Sequence, residues 1–220
     1  MKLIDLTHTI SDDTPTWEGK CGFHIQTVHD YEQDSTSFKV QSVTMNCGIG
    51  THIDAPAHCF KDLPTIDKLS LEQLIKPGVL IDISSRRSPH NSLSVNDILE
   101  FEDAYGRITK NTYVLVNTGW HRFWHQPTYY HNNYEFPYIN ISAAKLLLER
   151  DIKGLGIDTL SPDRPDSGYP VHHLLLANQV LIIENINNLD LLPPRNFIVT
   201  IAPLKIKDAT ESPARIWATF

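Results

Sequence analysis

Short apolar runs alternate along the chain with single amphipathic stretches. Runs rich in Val, Ile and aromatics, bounded by Gly, Pro, Asn or Asp, predict strands over Lys2–Leu6, Phe23–Val28, Phe38–Met45, Val79–Ile83, Tyr113–Asn117, Gly154–Ile157, Val180–Glu184 and Phe197–Ile201. Several are apolar at every position, the pattern of a strand covered on both faces. Helices are expected to begin at Ser70, Ser94 and Ser142, each an N-cap type of residue before an apolar-periodic stretch, with Gln73 and Asp97 three residues after the first two. The second runs to about Ala104 and stops before Gly106, and the third sets Leu146 and Leu147 against Glu149 and Arg150. Strands and helices mix throughout, which predicts a mixed α/β fold. The segment from Trp120 to Tyr138 lacks clear periodicity, as pocket walls and interface arms often do.

Composition narrows the partners. The 220 residues suit one domain over 1–220, long enough for a large core, and no repeat or flexible linker divides them. The formal charge of −7 opposes a nucleic-acid footprint or an anionic membrane surface and favours a small solute. No stretch approaches the roughly 20 apolar residues needed to span a bilayer. Cys21, Cys47 and Cys59 form no CxxC pair, which suits a reducing compartment and predicts a cytoplasmic protein.

The chemistry concentrates in Gly50-Thr51-His52-Ile53-Asp54-Ala55-Pro56-Ala57-His58. Ala55 precedes proline and is biased toward extended geometry, where residues two apart share a side. His52 and Asp54 then converge while Ile53 turns to the core. An imidazole nitrogen and a carboxylate oxygen so placed can share zinc or manganese, and His58, beyond the proline, is a candidate general base. An isolated HxD is more often a surface turn; the preceding Gly-Thr, the following proline and the third polar group weigh against that here. His121 and His125 also stand four apart, but without the acid of HExxH they are read as a helix face or pocket wall.

The string resembles the HxGTHxDxPxH signature of the metal-dependent cyclase-like hydrolases, a family that includes bacterial kynurenine formamidase and isatin hydrolase. The resemblance extends over most of the chain: Asp5-Leu6-Thr7 with Ile10, Pro15-Thr16-Trp17, Gly156-Ile157-Asp158 with Ser161 and Asp163, His172 with Leu175-Leu176, Glu184-Asn185, and Ser212-Pro213 with Arg215. It implies a strand-rich, barrel-like core with packed helices, and homodimers or homotetramers. It also implies His52, Asp54, His172 and Glu184 as ligands of a divalent ion, with His58 as the proton-transfer residue. Glu184 ends an apolar strand, where ligands gather in open α/β sheets. Trp17 and Trp120 are candidates for stacking on an aromatic part of the substrate, while Asp158 and Asp163 are expected to order the pocket through loop hydrogen bonds.

One signature position departs from the pattern: Gly48 stands where the family has its first histidine. Cys47 and Cys59 flank the motif, but Cys47 lies one residue off and faces the other side of a regular strand. The resulting expectation is metal-assisted hydrolysis of a small amide, lactam or lactone, with N-formylkynurenine as one candidate. A binding protein whose site decayed at Gly48, and a lyase or dehydratase that stabilises an enolate, are the alternatives.

Overall fold

The computed structural model describes residues 1–31 and 37–220. Its main sheet contains β1 (Leu3–Asp5), β4 (His52–Asp54), β5 (Ile75–Asp82), β7 (Tyr113–Asn117), β9 (Gly154–Ile157), β10 (Leu181–Glu184), β11 (Phe197–Pro203) and β12 (Glu211–Thr219). The order is β1-β12-β11-β5-β7-β9-β10-β4, and β4 also pairs with β12. Seven strands therefore close into a barrel, with β1 added on the outside edge of β12. Strands β5, β7, β9 and β10 run parallel, and antiparallel pairs complete the ring. Among the described residues, two small sheets lie apart, β2 (His24–His29) with β3 (Val40–Thr44) and β6 (Ser92–Leu93) with β8 (Tyr138–Ile139).

Among the described residues, five α-helices accompany the sheet: α1 (Leu71–Leu74), α2 (Val95–Tyr105), α3 (Pro127–His131), α4 (Ile141–Glu149) and α5 (Pro170–Ala177). Capping boxes at Ser70/Gln73 and Ser94/Asp97 start α1 and α2, as the sequence predicts. The third start is corrected: Asn140, not Ser142, caps α4, because the Asn140 carboxamide oxygen accepts the Ser142 N–H at 2.9 Å.

The period-two alternation of the strands separates two cores. Leu80, Tyr113, Leu115, Leu181, Ile183 and Val199 point into the barrel. Val79, Ile81, Val114, Val116, Leu155, Ile157 and Ile182 point outward against Ile98, Phe101, Ala143, Leu147, Val171 and Leu175 of the helices. A Cβ at Gly156 would run into Leu115 and Ile186, so the barrel interior is filled where that residue faces inward. Helix α5 packs on β10 with Leu175 and Leu176 fully buried. Each such leucine is worth about 2 kcal/mol of apolar burial, and this holds the helix that carries His172 against the sheet. The Trp120–Tyr138 segment builds a third, aromatic cluster of Trp120, Trp124, Tyr130 and Phe136 with Leu160.

Candidate metal centre

The register of three strands assembles the site. In β10–β4, Glu184 lies opposite His52 and Ile183 opposite Ile53; in β4–β12, Asp54 lies opposite Glu211. Directly opposed residues share a face, so Ile53 and Ile183 enter the barrel while His52, Asp54, Glu184 and Glu211 face outward toward α5. That helix supplies His172, buried, whereas His173 is exposed. The segment His52–Asp54 thus acts as the staple that closes the barrel and as the floor of the site.

The imidazoles are aimed by their second nitrogens. His52 Nδ1 is 2.9 Å from the Gly50 carbonyl oxygen, which also accepts the Asn185 side-chain N–H at 2.9 Å. His172 Nδ1 is 2.9 Å from Asp163 Oδ2, and the same carboxylate takes the backbone N–H groups of Val171 and His172 in the first turn of α5. Each Nδ1–H is thereby committed as a donor, and each Nε2 faces the carboxylates. His52 Nε2 lies 3.3 Å from Glu184 and 3.6 Å from Asp54, and His172 Nε2 lies 3.3 Å from Glu184 and 3.7 Å from Asp54.

These spacings decide what the residues fit. A direct N⁺–H···O⁻ hydrogen bond is about 2.7–2.9 Å, whereas two ligand atoms on one tetrahedral zinc, with bonds near 2.0–2.2 Å, sit about 3.4 Å apart. The buried Asp54 Oδ1 and Glu184 Oε1 have no hydrogen-bond partner. Two groups among the described residues bring their ligand atoms within 4.8 Å of one another, Asp54-His172-Glu184 and His52-Asp54-Glu211, and Asp54 belongs to both. The donor set of neutral imidazole nitrogens and carboxylate oxygens suits a divalent ion.

The electrostatics agree. Burial works against an imidazolium at His52, but the neighbouring Glu184 and Asp54 carboxylates push it up to about 10. His172 is driven the same way against its burial by Asp163 and Glu184. Burial, reinforced by Glu184, raises Asp54 to about 6, while the two imidazoles hold Glu184 low despite its burial. The pocket demands positive charge between its carboxylates, carried by protons on both Nε2 atoms or by a cation in their place.

In front of this cluster lies a cavity of about 380 Å³, lined by Trp17, Tyr169, Leu160, Ser161, His58 and Cys59 among others. Its size suits a small ligand. Trp17 packs 6.0 Å from the ring of Tyr169, and Tyr169 lies 6.1 Å edge-on to His172. His58 ends the turn Pro56–His58, with its side chain 34% exposed and its ring 6.0 Å from that of His172. Trp120 requires correction as a stacking residue: it is buried in the aromatic cluster, and its indole N–H donates to the Tyr130 carbonyl at 2.9 Å, so it does not line the cavity. Of the HxxxH pair, His121 falls on a 3-10 turn, Trp120–Phe123, and His125 lies beyond it. Asp158 orders that turn by accepting from the Thr118 and Trp120 N–H groups.

Sequence reasoning missed Glu211 and Tyr169 and gave Asn185 no role of its own. Glu211 immediately precedes Ser212-Pro213, and that adjacency was the available signal. Neither Cys47 nor Cys59 joins a ligand set among the described residues, and burial pushes the Cys59 thiol up, away from the thiolate a metal needs.

Comparison with known proteins places this arrangement. The profile of the family described as "Putative cyclase" matches residues 4–164. A kynurenine formamidase from Bacillus anthracis is 27% identical, over 97% of this chain and 95% of its own length. Isatin hydrolase A from Ralstonia solanacearum superposes with a TM-score of 0.92 at 29% identity, covering 99% of this chain and 91% of that one. A structure described as a predicted metal-dependent hydrolase, from Bacillus stearothermophilus, superposes with a TM-score of 0.80 at 26% identity, over 99% and 97% of the two chains.

Proposed function

The chain belongs to the cyclase family, and on that premise we propose that it is a metal-dependent hydrolase that opens a small amide, lactam or lactone. The observation that carries this reading is the convergence of His52, Asp54, His172 and Glu184 at 3.3–3.7 Å, with unpartnered buried carboxylate oxygens, on the floor of a small-molecule cavity. The four residues hold the divalent ion, zinc or manganese. When bound, such an ion supplies Lewis acidity, making a carbonyl more electrophilic and a water more acidic.

The remaining tasks fall to the chain's own groups. Trp17 and Tyr169 offer aromatic faces to a planar part of the substrate and orient its carbonyl toward the floor. His58 lines the cavity beside His172 and Glu211. It takes the proton of the attacking water at an imidazole nitrogen and returns it to the departing nitrogen or oxygen. Asp163 and the Gly50 carbonyl keep His172 and His52 in the orientation that turns Nε2 inward.

Three free cysteines suit a cytoplasmic location, and no helix among the described residues is long and apolar enough to cross a membrane. We propose further that the protein works as a homodimer or homotetramer on a small-molecule substrate, with no nucleic-acid or membrane partner; the negative charge supports the latter.

Elemental analysis of protein purified without added metal, followed by a screen of aryl formamides, isatin-type lactams and lactones in ¹⁸O water, tests the reading. Stoichiometric divalent metal and one solvent oxygen in the product are expected. Absence of metal after reconstitution with each ion, or a product without solvent oxygen, overturns it.

A further inference from the structure

We propose that Glu211 replaces the histidine that the signature places at position 48, so that the glycine at 48 and the acid at 211 form one compensated exchange. The inference rests on the hydrolase reading and specifies how its ion is held.

Three observations converge on it. A Cβ built at Gly48 would collide with Glu211 Oε1 and lie 3.5 Å from His52 Nε2. The Glu211 carboxylate therefore fills the space through which a side chain at 48 would enter, and it approaches the same nitrogen. The strand register opposes Glu211 to Asp54, on the face that carries the other ligands, and its oxygen completes the set with His52 and Asp54. Finally, Asp54 Oδ1, 3.6 Å from His52 Nε2, is buried without a partner and faces this set.

The exchange changes the chemistry of the position. The set His52-Asp54-Glu211 has one nitrogen and two carboxylates, where a histidine at 48 would give two nitrogens and one carboxylate. Oxygen-rich sets suit manganese and magnesium better than imidazole-rich sets do, and a further negative charge strengthens the hold on a hard cation. Glu211 Oε2 also lies 3.6 Å from His58 Nδ1, so the residue spans the ion site and the proton-transfer residue.

The test measures binding of Mn²⁺ and Zn²⁺ alone, by titration calorimetry and by elemental stoichiometry after gel filtration. It compares the wild type with Glu211→Ala and with Gly48→His/Glu211→Ala. At least a tenfold loss of Mn²⁺ affinity is expected in Glu211→Ala. The double variant is expected to regain an ion and to prefer Zn²⁺ over Mn²⁺ relative to wild type, with an added histidine nitrogen coupling in the electron spin-echo spectrum of its Mn²⁺ form. Wild-type affinity and stoichiometry in Glu211→Ala, as a role confined to orienting His58 would give, overturns the inference and leaves the hydrolase reading standing. A loss that Gly48→His does not reverse also overturns it. Failure of the wild type to bind either ion removes both.

Discussion

His58 differs from the residues behind it in exposure, and the difference assigns its task. His52, Asp54, His172 and Glu184 are buried and locked by neighbours, whereas His58 is 34% exposed on a turn at the cavity wall. A group that must exchange protons with substrate and solvent needs that access; a ligand does not. His58→Ala should therefore lower kcat by about 10²–10⁴ and leave metal content unchanged, which steady-state kinetics beside elemental analysis would show. Retained turnover would remove His58 from the chemistry. At this scale His52 and Asp54 were legible because the pleat's period of two needs only three consecutive residues. His172 and Glu184 were legible through the family pattern. Glu211 was not, because its place beside Asp54 depends on strand register between distant segments, which no local periodicity encodes. Trp120 misled for a related reason: its type suits stacking, but its indole N–H had a buried carbonyl to satisfy.

Elements that announce themselves by caps and β-branched runs were the readable ones. Helices α1 and α2 carry both halves of the capping box, and β7, β9 and β10 are apolar at nearly every position because both faces are covered. Strand β12 escaped notice because its inward positions are Ala214, Ile216 and Ala218 and it contains Pro213, which argues against a paired strand. The proline is tolerated because β11 ends at Pro203, opposite Ala214, so Pro213 lies beyond the β11 ladder. Helices α2 and α4 are clamped by Glu102, which accepts from Arg150 Nε and Nη2 at 2.9 and 3.0 Å and from the Ile108 N–H at 2.9 Å. The Arg150 hydrogen bonds hold the Glu102 carboxyl below its ordinary value against the effect of its burial. A depressed native value contributes stability that is full above the unfolded value, about 4.3, and is lost as pH falls through the native value. Glu102→Gln should lower stability by about 1–2 kcal/mol at pH 7 and flatten its decline below about pH 4.3. Denaturant titrations at pH 7 and at pH 3.5 would measure both, and an unchanged acid slope would refute the assignment.

At the scale of the molecule, barrel closure and site assembly are one event: β4 joins β10 to β12 and brings His52 and Asp54 between Glu184 and Glu211. Apart from the barrel lies the ribbon of β2 and β3, whose residues are all exposed, including Ile25, Val28, Val40 and Val43. A two-stranded ribbon alone is marginal in water, and an apolar pair such as Ile25 opposite Val43 gains nothing from exposure. Burial against a second copy would stabilise both ribbons and would account for apolar residues on both of their faces. Ile25→Lys with Val43→Glu keeps the register through an opposite-charge cross-strand pair while removing the apolar surface. Light scattering should find wild-type protein as a dimer or tetramer at micromolar concentration and the double variant shifted toward monomer, with the barrel's unfolding transition retained. A wild-type monomer would refute self-association, and an unshifted variant would move the interface to another face.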